Sequence, residues 1–174
     1  MGLIASVVGV NKKIDNYFNY NKLIIKNKIH KMRKISKYIE AIKGYIEFRV
    51  GQNAKENFDL IDISSPNDLW FHISQQASCH VVATIPQDGR FAEPPGGAKR
   101  RFSIDSPLGL STDNDTLDKR ILKKIAVQGA VICKQCSRHK SESAICVMYT
   151  PIKNVKKGGN MGSVFVDEYK TLVI

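Results

Sequence analysis

The period of apolar and polar positions changes repeatedly along residues 45–174, and each change marks an element. Tyr45-Ile46-Glu47-Phe48-Arg49-Val50 alternates strictly, the two-residue period of a strand, and Gly51 stops it. Asn53 is placed to cap a short helix through about Ile61, with Ala54, Phe58 and Ile61 turned inward. Ser64-Ser65-Pro66-Asn67 reads as a turn into a second alternating stretch, Asp68-Leu69-Trp70-Phe71-His72-Ile73. There Leu69, Phe71 and Ile73 can enter a core while Asp68, Trp70 and His72 share the opposite face. His80–Ile85 reads as a more deeply buried strand.

Helical spacing takes over from Thr116. Leu117, Ile121, Leu122, Ile125, Ala126 and Gly129 make one face, and Asp118, Lys119, Arg120, Lys123 and Lys124 the other. The same phase places Ile132, Cys133 and Cys136 on the buried stripe, and the helix is expected to end near Ser137-Arg138-His139-Lys140, whose positive charge suits a C-terminus. Ala144–Thr150 reads as a buried strand closed by Pro151. A Lys-rich, Gly-containing turn at 153–159 leads to strands at about 163–167 and 170–174, joined by a tight turn. Between these parts, residues 86–116 form a long loop broken by Pro86, Gly89, Pro94, Pro95, Gly96, Gly97 and Pro107 and carrying Lys99-Arg100-Arg101. The elements add up to an α+β fold, a mixed and largely antiparallel sheet with one principal helix packed on it.

Charge changes the picture at the N-terminus. Residues 1–44 contribute +8 of the formal +11, so an arm at 1–44 precedes a domain at 45–174. Leu23, Ile24, Ile25, Ile29, Met32, Ile35 and Ile39 alternate with its lysines at near-helical spacing, predicting a basic amphipathic helix over about 22–42. Such a charge points to an anionic partner, nucleic acid or an anionic membrane surface. Whether the arm meets RNA, lipid or the domain itself stays open. Leu3–Val10 is far shorter than the roughly 20 residues of a span and lacks the flanking charge of a secretory signal, which predicts a cytoplasmic protein. Met1-Gly2-Leu3-Ile4-Ala5-Ser6 matches the acylation pattern, leaving a membrane-apposed nucleic-acid scaffold as the alternative.

Four cysteines are too few for a disulfide scaffold of this length. Cys133-x-x-Cys136 with His139 lacks a second pair at finger spacing, so no metal is expected, nor any other cofactor or small-molecule substrate. His72 and His80 could form a two-histidine phosphodiesterase site, but nothing supplies a matching second motif, and the chain is read as a non-enzyme. Asp68 and His72 lie about 13 Å apart by strand rise, too far for a direct hydrogen bond. Trp70 on an open sheet face fits base stacking better, with the 153–159 turn approaching phosphate.

Gly51-Gln52-Asn53-Ala54-Lys55-Glu56-Asn57, Asp68-Leu69-Trp70-Phe71-His72, Ser78-Cys79-His80-Val81-Val82, and Tyr149-Thr150 with Lys153-Asn154-Val155-Lys156-Lys157 occur in the order of the NFACT-R domain. Over residues 45–174 the chain resembles this RNA-binding domain of proteins that act in ribosome-associated quality control. The resemblance implies non-catalytic binding of structured RNA, tRNA or rRNA on a ribosomal particle such as the large subunit. Asp68, Trp70, His72 and His80 would form the recognition face, and Arg138, Lys153, Asn154, Lys156 and Lys157 the phosphate contacts. The loop at 86–116 is longer than the family leads one to expect, and Cys133 and Cys136 stand where other residues are expected. No coiled coil or helix-hairpin-helix segment accompanies the domain in this sequence, so the tailing of stalled chains is not implied for it.

Overall fold

A computed structural model describes residues 32–86, 91 and 119–174. The chain divides into units Met1–Met32 and Arg33–Ile174, and the elements below belong to the second. Strands β1 (Arg33–Ile39) and β2 (Gly44–Val50) form a hairpin with register from Arg33↔Val50 to Ile39↔Gly44. A single 3-10 turn joins them, closed by Lys43 at φ 46°, whose N–H donates to the Glu40 carbonyl. The helix expected over 22–42 is therefore corrected at Arg33–Ile42, while its earlier part lies outside the described residues. Ile35 and Ile39 are four apart, a spacing that satisfies the helical and the strand period alike, and the alternating β2 alongside supplies the partner that selects the strand.

Asn53 caps helix α1 (Ala54–Ile63) as expected: its Oδ1 accepts the Glu56 N–H at 2.9 Å, and Glu56 Oε2 accepts the Gln52 N–H at 2.9 Å. Its inward residues are Asn57, Asp59 and Leu60 rather than Ala54, Phe58 and Ile61, a rotation of the buried face set by the bond from the His80 N–H to Asn57 Oδ1. Gly51 allows that approach, since a Cβ there would collide with the Asn57 side chain. Strands β3 (Leu69–Ile73), β4 (Val81–Ala83), helix α2 (Lys119–Gln135) and β5 (Cys146–Pro151) fall where the pattern put them, β3 and β4 with shorter ends and β5 starting later but running on through Pro151. The start of the predicted helix at Thr116 and most of the loop at 86–116, including Lys99-Arg100-Arg101, lie outside the described residues.

The main sheet has the order β1-β2-β4-β3-β5-β8, antiparallel throughout, where β8 is Lys170–Val173. The turn expected at 153–159 is instead a 3-10 turn, Ile152–Asn154, followed by β6 (Val155–Lys157), which pairs with β7 (Val164–Val166) as a separate ribbon. The strands near 163–167 and 170–174 exist but belong to different sheets. Phe48, Val50, Phe71, Ile73, Val81 and Val147 cluster with Ile125, Ala126, Ala130, Ile132 and Cys133 of α2. Gly129 lets helix and sheet touch, because a Cβ built on it would collide with the ring carbons of Phe71. On the opposite face the register aligns Lys34, Arg49, Val82, Trp70 and Thr150 across five strands. Most of that row is buried as well.

Candidate nucleic-acid interface

Asp68 enters from the Ser65–Asn67 turn and is 1% exposed. Its Oδ2 accepts the Ser65 N–H at 2.9 Å and its Oδ1 the Ile85 N–H at 2.8 Å, so the carboxylate fastens the entry of β3 to the exit of β4. Burial raises its pKa, opposed by those two N–H groups and by Arg49. Trp70 is 0% exposed. The His72 ring stacks on it at 5.5 Å and 5° between planes, and His80 stands edge-on to both, 5.0 Å from Trp70 and 5.3 Å from His72. Burial, with the nearby His72, lowers the His80 pKa to about 3, and burial lowers that of His72. Both shifts favour the neutral imidazole. Trp70 Nε1, His80 Nδ1 and Arg49 Nη1 are buried without a hydrogen-bond partner among the described residues.

The expected open recognition face is thus corrected. The structure does bring Trp70, His72 and His80 together, with Asp68 at the start of the same strand, but as an interior cluster in which only His72 is partly exposed. No base can stack on a ring that has no exposed surface. The histidine pair meets, yet one sealed, neutral imidazole is poorly placed to exchange protons with a phosphodiester.

The cationic residues fare differently. Lys153 and Lys156 are exposed, and Lys156 Nζ lies 2.7 Å from Asp167 Oδ2. Lys157 turns back: its Nζ is 2.5 Å from Asp62 Oδ1 and 4.9 Å from the Phe58 ring centroid, docking the ribbon on α1. Asn154 is an internal tie, its Nδ2 donating to Thr150 Oγ1 at 3.1 Å, while Thr150 Oγ1 donates to the Glu168 carbonyl at 2.5 Å. Arg138 is exposed but stands beyond the C-terminus of α2, where Lys134 Nζ donates to the Ile174 carbonyl beside the start of β5. Lys153 follows the other end of that six-residue strand, so the two cations are separated by about 20 Å of strand rise. They cannot share one phosphate.

Sequence reasoning missed Phe165. Within Val164-Phe165-Val166 the valines are half-buried, whereas Phe165 is 66% exposed on the outer side, directly across from Lys156. Met161 in the ribbon turn and Tyr169 beyond it are exposed too. The two-residue period of a three-residue strand held the signal. A second cationic surface is α2 itself, which contains Lys119, Arg120, Lys123, Lys124 and Lys134 and no acidic residue. Among the described residues no group of three or more His, Cys, Asp or Glu is placed to hold a metal, and His139 Nδ1 instead meets Glu142 Oε1 at 2.6 Å. No helix among them is long and apolar enough to cross a membrane.

The solved C-terminal structure of the fibronectin/fibrinogen-binding protein from Streptococcus suis shares the fold, with a TM-score of 0.53 and 19% identity over 82% of this chain and 44% of that one. Coiled-coil domain-containing protein 25 of Danio rerio is 28% identical over 112 residues, and its Mus musculus counterpart 26% identical over 112. Each alignment covers 64% of this chain but only 42% and 41% of the relative, so the chain spans about two fifths of the curated relatives it matches. The model of the NFACT protein RNA binding domain matches residues 38–167, a span that begins with the last two residues of β1 and ends just after β7. With that match across three quarters of its length, the chain belongs to the NFACT RNA-binding domain family, a membership that supports RNA binding without catalysis.

Proposed function

We propose that the domain binds structured RNA, a tRNA or an rRNA segment of the large ribosomal subunit, through the outer face of the β6–β7 ribbon, and that it serves ribosome-associated quality control in the cytoplasm. The observation that carries this reading is the outward pairing of Phe165 with Lys156, an exposed ring beside an ammonium group, in a chain of an RNA-binding family. A base can stack on the ring while Lys153 and Lys156 meet flanking phosphates, the division of labour usual for unpaired nucleotides. Lys157 and Asn154 hold the ribbon and the preceding turn in place. Asp68 supports it from behind, its carbonyl accepting the Ile152 N–H at 2.8 Å and so positioning the turn that presents Lys153, while Trp70, His72 and His80 pack on one another in the interior. Arg138 and the cations of α2 would add phosphate contacts where a large RNA wraps the domain, and residues 1–32 add sequence-independent attraction.

The test is a salt titration of binding for the whole chain, Phe165→Ala and Lys153→Gln/Lys156→Gln, each against two RNAs of equal length and different structure. Phe165→Ala should weaken binding by about 1–3 kcal/mol through lost stacking. The double lysine variant should flatten the dependence of log K on log salt by about 0.7 per lost contact on single strands while keeping the preference between RNAs. Unchanged affinity and slope in both folded variants would remove the ribbon from the interface. The RNA should be recovered intact, and cleavage products would overturn the non-catalytic reading.

A further inference from the structure

Three of the four cysteines converge at the end of the sheet remote from Lys153. Cys79 lies in the connection between β3 and β4, and Cys133 and Cys136 in the last turn of α2 and just beyond it. The Cys79 thiol meets the Cys133 carbonyl at 3.7 Å and the Cys133 thiol meets the Cys79 carbonyl at 3.8 Å, a reciprocal contact between residues 54 apart in sequence. Exposure divides the pair: Cys133 is fully buried, Cys79 half-buried. From these contacts we infer that Cys79 and Cys133 form a hydroperoxide-oxidisable thiol pair, Cys79 the attacking sulfur and Cys133 the resolving one.

The surroundings favour that assignment. Cys79 is faced by Cys133 and Cys136 from α2, by Ser78 beside it, and by the Arg33 guanidinium from β1. The Cys133 thiol beside it lowers the Cys79 pKa against the opposing effect of burial, with Arg33 a smaller help, whereas the same contact and burial both raise that of Cys133. A half-buried sulfur in contact with a second, fully buried thiol is the arrangement in which a first sulfur meets the peroxide and its neighbour resolves it. The Cys79 thiolate attacks a hydroperoxide oxygen; the S–O bond forms as the O–O bond breaks, the sulfur is oxidised by two electrons, and the released alkoxide or hydroxide takes a proton. Cys133 then gives up its proton and attacks the sulfur of the Cys79 sulfenic acid, so that an S–S bond replaces the S–O bond and the departing hydroxide leaves as water with that proton. The disulfide ties the β3–β4 connection to the C-terminal turn of α2, and a dithiol reverses it by exchange. Cys146, exposed on β5, is a built-in control for indiscriminate oxidation.

The experiment treats the reduced full chain with stoichiometric hydrogen peroxide, blocks remaining thiols by alkylation and maps the peptides by mass spectrometry. A Cys79–Cys133 linked peptide is expected, retained in Cys146→Ser. In Cys133→Ala the Cys79 sulfenate should persist and be trapped by dimedone. Should that variant not fold, Cys79→Ser at the half-buried position serves instead: Cys133 should stay reduced under the same treatment. Oxidation of Cys146 alone, overoxidised Cys79 without a link, a Cys79–Cys136 link, or oxidation of Cys133 in Cys79→Ser would each overturn the proposal.

Discussion

Trp70 is the chain's only tryptophan and is wholly buried, so its substitution separates a structural from a ligand-contacting role with an intrinsic optical probe. A buried tryptophan removes roughly 150–250 Å² from water, worth about 4–6 kcal/mol at about 25 cal/mol per Å². Measured truncations of core aromatics to alanine cost about 3–5 kcal/mol. Against a total of about 5–15 kcal/mol for a domain, Trp70→Ala should therefore remove from about a fifth to all of the stability. Truncation would also remove the stacking partner of His72 and the edge partner of His80. Urea denaturation followed by far-ultraviolet circular dichroism should show the midpoint falling steeply, and RNA affinity should fall only as far as the folded fraction does. In the parent protein Trp70 emission should resist iodide and stay constant through an RNA titration. A Trp70→Ala variant with parental midpoint and lowered affinity, together with quenching of the parent by RNA, would refute the argument and restore the ring as a stacking surface.

Three further outcomes follow from the packing. Folding depresses the pKa of His80 to about 3 from an ordinary 6.5, so unfolding takes up a proton and stability, full above about pH 6.5, should decline toward pH 3 by up to about 1.4 kcal/mol per unit; His80→Gln should flatten that dependence in denaturant midpoints across pH. Lowering of the His72 pKa adds to the decline, and the raised pKa of Asp68 opposes it, since a carboxyl favoured in its neutral form stabilises most in acid. Gly129→Ala gains about 1 kcal/mol of helix propensity but forces Phe71 from its place at about 1–3 kcal/mol, so calorimetry should show a net loss of up to about 2 kcal/mol. Lys157→Met keeps the stem over Phe58 and loses the partly exposed ion pair with Asp62, for which thermal melts should register less than about 1 kcal/mol.

The α+β class, the principal helix and the central strands were legible because a single period governs each of them. Alternation in Asp68–Ile73 correctly separated two faces. It could not say that both are covered, because His80, which stands against Trp70 and is held by Asn57 of α1, comes from outside the strand, and the strand's own period does not encode it. A row of Asp, Trp and His reads as an interface when its burial partners are distant in sequence, and here the carboxylate is satisfied by backbone N–H groups of Ser65 and Ile85 that carry no side-chain signature. The ambiguity at Ile35 and Ile39 has the same origin, since only the pairing with β2 decides between periods that both fit. Conversely Lys153 and Lys156 were readable as surface cations, whereas the inward turn of Lys157 depends on an aspartate 95 residues away.

The Asp68 carboxylate has a further consequence for how β3 finds its place. A strand that is apolar on one side and aromatic on the other could slide by one residue and still bury large rings both ways, leaving hydrophobicity nearly indifferent to the exchange of Phe71 and Trp70. With Asp68 beside them the misaligned state is distinguishable. A slip by one turns the carboxylate toward the isoleucines and valines that face α2 and away from the Ser65 and Ile85 amides, stranding a charge among hydrocarbon at a cost of several kcal/mol. The residue thus acts as a gauge of alignment: it adds little to the depth of the correct state and raises its nearest competitor.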